Sequence, residues 1–118
     1  MAVTMMQSCA NCPDDCGPCQ AASQVFGCVE SRTIAFSFND GPSAVTNHLL
    51  DILGQYNIPV GFFLNGDLVE THRPQVLREE AMGFSTLSHT FSNLDLALAT
   101  PATVYNELYK TEVAIKRR

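Results

Sequence analysis

The apolar and polar positions of residues 33–66 predict a strand, a helix and a second strand. Ile34, Phe36 and Phe38 alternate with smaller or polar residues, which predicts a strand over 33–38. After a Gly-Pro turn, Ser43 is the predicted N-cap of a helix over 44–56. Its predicted core stripe has helical spacing and comprises Val45, Leu49, Ile52, Leu53 and Tyr56. The apolar run at 59–66 is typical of a strand that is buried on both faces.

The remaining pattern predicts two further helices with a third strand between them. A helix is predicted over 73–83, with Gly83 as its C-terminal stop, and a strand over 84–88. Thr100 is the predicted N-cap of a last helix, whose core side would contain Val104, Leu108 and Ile115. Strands that alternate with helices predict an α/β fold with a parallel sheet.

Polar side chains follow two of these predicted strands. Asn39 and Asp40 come after the first strand, and His89 comes after the third. Ligands of parallel α/β sheets bind at the carboxyl ends of the strands. We therefore expect these three residues to share one rim of the sheet.

Length, charge and hydropathy narrow the class of protein. The 118 residues fit one domain, and a formal net charge of -5 argues against nucleic acid as a partner because the basic residues cluster only in the closing "IKRR". No apolar run has the roughly 18 residues that a membrane-spanning helix needs, so no membrane partner is expected. The opening "MAVTMMQSCANC" lacks the pattern of a secretory signal, and the compartment stays unknown.

All five cysteines lie in the first 28 residues, which sets this segment apart. The pattern favours a loop-rich arm that is stapled by disulfides among Cys9, Cys12, Cys16 and Cys19, with Cys28 as the odd thiol. The two Cys-x-x-Cys pairs also allow a structural metal site, although only three residues separate them. "CGPC" resembles the thioredoxin redox motif, but no predicted strand precedes it.

Two stretches resemble the motifs of one enzyme family. "SFNDGP" at 37–42 and "SHTFSN" at 88–93 are similar to the first two motifs of polysaccharide deacetylases with a NodB homology domain, carbohydrate esterase family 4, which includes chitin deacetylases. "FFLNG" at 62–66 resembles the strand between them. The resemblance implies the first half of a distorted (β/α) barrel over residues 29–118, preceded by the Cys-rich arm of residues 1–28.

The resemblance also implies metal-dependent hydrolysis of N-acetyl groups on N-acetylglucosamine polymers. By motif position, Asp40 and His89 match metal ligands, Asn39 stands at the base position and Asn93 stands where the family has a second histidine. A carboxamide cannot take up a proton in the working pH range, and its oxygen is a weak ligand for zinc. We expect zinc or another divalent ion to be held weakly.

The later motifs of the family are absent from this sequence, so we expect a truncated member with weak or no hydrolytic activity. The alternative is a non-catalytic relative that binds a chito-oligosaccharide or a protein partner. An incomplete barrel would leave two open sheet edges, which predicts possible self-association. The family usually acts on extracellular or cell-wall polymers.

Overall fold

The computed structural model describes Cys28 and residues 31–117. In this part of the chain, strands and helices alternate as the pattern predicts, with one extra short helix and one 3₁₀ turn. The strands are β1 (Ser37–Gly41), β2 (Gly61–Leu64) and β3 (Ser85–Ser88). The helices are α1 (Thr46–Tyr56), α2 (Gly66–Thr71), α3 (Arg73–Ala81) and α4 (Pro101–Lys116), and the 3₁₀ turn is Leu96–Leu98.

The three strands form a parallel sheet in the order β1-β2-β3, which confirms the predicted α/β class. Phe62 and Leu64 of the central strand are buried, and the Phe62 ring packs between those of Phe38 and Phe84. Helical side chains complete one core on this face of the sheet. The buried apolar residues are Leu50, Leu53, Val60, Phe62, Leu64, Val69, Val76, Ala114 and Ile115.

The first strand lies further along the chain than its pattern predicts. It spans Ser37–Gly41 rather than 33–38, and Ile34 and Phe36 are 76% and 56% exposed. Pairing with β2 determines these bounds, because Ser37 lies beside Gly61 and Gly41 lies beside Leu64. An alternating pattern shows which residues could form a strand, whereas the neighbouring strand decides which of them do. Asn39 and Asp40 therefore lie within β1 and not after it.

The predicted cap of the first helix is wrong, and its predicted core stripe is correct only in part. Helix α1 buries Thr46, Leu50 and Leu53, which have helical spacing but are offset from the predicted stripe. Of the predicted stripe, Leu53 is buried and Leu49 is half-buried, whereas Val45, Ile52 and Tyr56 are exposed. The helix has apolar residues on two sides, and packing against the sheet selects one of them. Ser43 does not cap the helix; its backbone N–H donates to Thr46 Oγ1 at 2.9 Å.

Other helix ends follow the sequence signals. Gly83 has φ +80° and closes α3, with its N–H donating to Glu80 O and the N–H of Phe84 donating to Glu79 O. Thr100 caps α4 through a hydrogen bond from the Thr103 N–H to Thr100 Oγ1 at 3.2 Å, as predicted. Of the predicted core side of α4, Ile115 is buried and Val104 and Leu108 are half-buried. Helix α2 is an addition that the pattern did not predict.

Some predictions fall outside the described residues or stay open. Cys9, Cys12, Cys16 and Cys19 lie in the part of the chain that the structure does not describe, so their disulfide, metal and redox hypotheses stay predictions. Cys28 is exposed. Within residues 31–117, no helix combines the length and apolarity that a membrane crossing requires. Strands β1 and β3 form the two edges of the described sheet, and association through these edges stays a prediction.

Candidate functional site

The carboxyl ends of the three strands meet at one rim. The backbone N–H of Asn65, directly after β2, donates to the carbonyl oxygen of Gly41 at 2.8 Å. On the other side of β2, the N–H of His89 donates to Leu64 O at 2.9 Å. These two hydrogen bonds continue the ladders of β2 past its last residue. They bring the end of β1, with Asn39 and Asp40, beside His89 at the end of β3.

Asp40 and His89 are neighbours at this rim. Asp40 Oδ1 lies 3.3 Å from His89 Nδ1, and the two side chains are 63% and 33% exposed. The Nδ1 atom itself is buried, yet its approach to Asp40 does not have hydrogen-bond geometry, and no other acceptor or donor in residues 31–117 reaches it. Two potential ligands thus lie within ion-pair distance of each other, without hydrogen-bond geometry.

The two substituted positions lie beside this pair. Asn39 is an exposed residue of β1, at the irregular register between Phe38 and Gly41. Asn93 is exposed and lines a shallow pocket of about 350 Å³ together with His89. The other lining residues are Ser88, Thr90, Leu94, Asp95, Leu96 and Leu108. The structure therefore groups His89 with Asn93 in the pocket and with Asp40 across the strand ends.

Backbone strain is concentrated at this rim. Asp40, Thr90 and Asn93 have φ values of 63°, 67° and 58°, in the left-handed region. Asp and Asn tolerate this conformation, but a β-branched threonine rarely adopts it. Such residues persist only where surrounding contacts hold them, and they are frequent at functional sites.

Glu107 of α4 holds the segment after His89. Its Oε2 accepts hydrogen bonds from the N–H of Phe91 at 2.9 Å, from the N–H of Ser92 at 2.8 Å and from Ser92 Oγ at 3.1 Å. The Ser92 N–H makes the largest contribution to lowering the pKa of Glu107 below its ordinary value of 4.5, against an opposing desolvation, and Lys110 adds to the lowering. The charged carboxylate thus anchors the chain between His89 and Asn93.

The start of α2 holds the same segment from the other side. The N–H groups of Gly66 and Asp67 donate to the carbonyl oxygens of Thr90 and Phe91 at 3.1 and 3.0 Å. The side chain of Asn65 donates from Nδ2 to His89 O at 2.9 Å. We define residues 89–93 as the β3 loop; His89, Thr90 and Phe91 accept these hydrogen bonds.

Asn65 and Glu107 were missed as site residues by the sequence reasoning. Asn65 could have been found, because it follows a buried strand at the rim where Asp40 and His89 were placed. Glu107 carries no such signal, since its position on a helix surface is typical of a solvated charge. Its role depends on contacts with residues that are 15 and 16 positions away.

The other two histidines do not join the pair. His48 is exposed on α1, and His72 Nδ1 lies 2.9 Å from Thr71 Oγ1 and 3.2 Å from Leu68 O. In the described part of the chain, no cluster of three or more His, Cys, Asp or Glu side chains could hold a metal ion. Among the described residues, a third ligand near Asp40 and His89 would be a neutral group such as the Asn93 amide.

Comparison with known proteins identifies the family of this chain. Residues 26–118 match the family model for polysaccharide deacetylase. A chitin deacetylase of Pestalotiopsis sp is 34% identical over 94 residues, which cover 77% of this chain and 32% of that protein. A chitooligosaccharide deacetylase of Bradyrhizobium sp. (strain ANU 289) is 32% identical over 101 residues, which cover 84% of this chain and 46% of that protein.

A solved structure agrees with the sequence matches. The chitin deacetylase from the fungal pathogen Colletotrichum lindemuthianum superposes with a TM-score of 0.68 and 32% identity, over 70% of this chain and 39% of that one. The chain thus spans less than half the length of these relatives. The predicted resemblance and its half-barrel fold are confirmed, and the chain belongs to the polysaccharide deacetylase family.

Proposed function

We propose that Asp40 and His89 hold a divalent metal ion in a deacetylase-family domain that acts weakly on N-acetylglucosamine polymers. The observation that carries this proposal is the pairing of Asp40 Oδ1 and His89 Nδ1 at 3.3 Å, with the nitrogen buried and without a hydrogen bond. A buried polar atom without a partner has a free-energy cost that a bound ion would remove.

The spacing of the pair supports a shared ion. Ligands of a tetrahedral zinc lie about 2.0–2.2 Å from the ion, so two of them are roughly 3.4 Å apart. A carboxylate and an imidazole both suit zinc and related ions. Because Asn93 offers a neutral amide where the family has a second histidine, we expect the affinity to be lower than a His-containing site would have.

The polar groups of the rim define what the site can do. When bound, a divalent ion supplies Lewis acidity toward an acetamide carbonyl and lowers the pKa of water. Asn39 can hydrogen-bond a water molecule or a substrate hydroxyl, but it cannot remove a proton. Loss of a positioned general base costs roughly a hundredfold to ten-thousandfold in rate. Slow hydrolysis is therefore the expected behaviour of this chain.

The substrate class is inferred from the relatives. The matched proteins are named as deacetylases of chitin and of chitooligosaccharides. The half-buried rim beside the β3 loop, with its apolar and polar lining, could receive the acetamide end of such a sugar. The non-catalytic binding hypothesis has no observation in its favour here, and an activity assay separates the two.

A zinc titration followed by NMR tests the metal site. Signals of Asp40 and His89 should shift in a saturable way, and Asp40→Ala and His89→Ala should each remove the effect at the other residue. His48→Ala is the matched control, because His48 is an exposed histidine that should leave the titration unchanged. Zinc shifts confined to the cysteines would contradict the proposed site, and the site-resolved readout separates these two cases.

Restoring the family residues tests the expected weakness. Asn93→His should raise zinc affinity, and adding Asn39→Asp should raise the rate of acetate release from an N-acetylglucosamine oligomer. High turnover by the unaltered chain would contradict the assignment of Asn39 as a lost base. Saturable oligomer binding with no acetate release, even after both restorations, would favour the non-catalytic hypothesis.

A further inference from the structure

Asn65 connects the two strand ends that carry the proposed ligands. Its backbone N–H donates at 2.8 Å to the carbonyl oxygen of Gly41, the residue that follows Asp40. Its side-chain Nδ2 donates at 2.9 Å to the carbonyl oxygen of His89. The residue is only 3% exposed. One buried residue therefore joins the two strand ends, through its backbone to β1 and through its side chain to His89.

The direction of the Asn65 side chain is informative. Asn65 is the N-cap of α2, where an asparagine normally accepts a hydrogen bond from a backbone N–H of the first helical turn. Here the side chain makes no such cap. The amide is directed to the carbonyl oxygen of His89, and only its NH₂ group can donate to that oxygen.

We propose that Asn65 is a positioning residue, which sets the place of His89 relative to Asp40. This inference rests on the proposed metal site. With Nδ2 bonded to His89 O, the backbone of His89 is held at the rim from both directions, since its own N–H is bonded to Leu64 O. Groups that orient a metal ligand typically contribute about 10–100-fold to metal affinity.

Two Asn65 variants test this role in the full chain. Asn65→Asp keeps the shape but replaces the NH₂ donor with an oxygen that faces a carbonyl oxygen. Asn65→Ala removes the donor without adding charge. Zinc affinity, read from the His89 signal, should fall by about 10–100-fold in both variants.

The control separates positioning from general stability. Val76→Ala truncates a fully buried side chain of α3 that makes no hydrogen bond of its own. Denaturant unfolding measures the stability of each variant. Zinc affinities are then compared under conditions in which every variant is fully folded. Zinc affinity in Val76→Ala should change less than about threefold, because folded molecules keep the β3 loop in place. Equal losses of affinity in the control and the Asn65 variants would overturn the proposal.

A second readout does not depend on metal. The Gly66 and Asp67 amides donate to Thr90 and Phe91, so their hydrogen exchange reports whether the β3 loop stays docked. Exchange should accelerate in the Asn65 variants more than in Val76→Ala of matched stability. Unchanged exchange would overturn the proposal. If the unaltered chain binds no zinc at His89 but exchange still accelerates, the proposed function fails while the positioning role stands.

Discussion

The two ends of the candidate site are held in very different ways. The β3 loop accepts hydrogen bonds from the Asn65 side chain and from two amides of α2, and its Phe91 and Ser92 amides donate to the carboxylate of Glu107. The end of β1 is attached through its pairing with β2 and through the backbone bond from Asn65 to Gly41, and the side chain of Asp40 is 63% exposed. Side-chain hydrogen bonds from other elements therefore hold the backbone around His89, whereas the Asp40 side chain is mostly exposed.

The largest expected effect comes from crowding the β3 loop. A Cβ added at Gly66 would lie 2.5 Å from Phe91 Cδ2 and 2.9 Å from Thr111 Oγ1. Gly66→Ala should therefore undock the loop and lower the free energy of unfolding by about 3 kcal/mol, at the upper end of overpacking costs. Denaturant unfolding measures the loss, and amide exchange at Asp67 measures the undocking.

Gly54→Ala is the matched control for that substitution. Its added Cβ would meet only the flexible end of Met82 at 3.0 Å, and alanine favours the α1 helix. We expect little or no loss of stability. Equal losses at Gly54 and Gly66 would show that the β3 loop is not specially constrained.

The next largest effect on stability is expected from Glu79, a buried carboxylate in helix α3. Glu79 of α3 is 0% exposed, and neither of its carboxylate oxygens has a hydrogen bond in the described residues. Burial is the main cause that raises its pKa from 4.5 to about 7, and Glu80 adds to the rise. A raised carboxyl pKa stabilises the fold at low pH, and that stability is lost as pH rises from the unfolded value toward the folded one.

We therefore expect the unaltered chain to lose about 2 kcal/mol of unfolding free energy between about pH 5 and pH 8. Glu79→Gln should remove most of this slope, because an amide does not ionise. Urea unfolding at the two pH values measures the slope. An unchanged slope in the variant would show that another group titrates.

Glu107 should respond to pH with the opposite sign. The pKa of Glu107 is lower in the folded state than its ordinary value of 4.5. Its contribution to the free energy of unfolding is therefore complete above about pH 4.5 and is lost as the pH falls through the lowered pKa. Glu107→Gln should cost about 1 kcal/mol locally, after allowance for solvent exposure. Amide exchange of Phe91 and Ser92 should then accelerate about fivefold at neutral pH, with core amides unchanged. Equal acceleration throughout the core would indicate a global effect.

The smallest effect is expected at the end of β1. Asp40→Asn keeps a side chain that tolerates φ 63°, and the group is mostly exposed. Its unfolding free energy should differ by less than about 0.5 kcal/mol from that of the unaltered chain. Zinc shifts at His89 should nevertheless weaken, because a charged ligand is lost. A large loss of stability would show that β1 is as constrained as the β3 loop.

The elements that could be predicted are those with local causes. The helix stop at Gly83 and the cap at Thr100 depend on neighbouring residues, and both were predicted from the sequence. The predicted bounds of β1 were wrong, and the predicted buried side of α1 was correct only in part. They depend on which residues β2 pairs with and on which apolar side the sheet covers, and neither is encoded locally.

The sequence by itself determined the family and the parallel direction of the strands. Motif residues and the spacing of apolar residues are properties of short stretches of chain. It also placed Asp40 and His89 at strand ends, since the chain order requires a common rim. Only the tertiary structure decided that these two groups face each other at 3.3 Å, and that Asn65 and Glu107 hold the β3 loop. Those contacts join residues 15 to 49 positions apart, and only packing of the whole sheet and its helices brings such residues together.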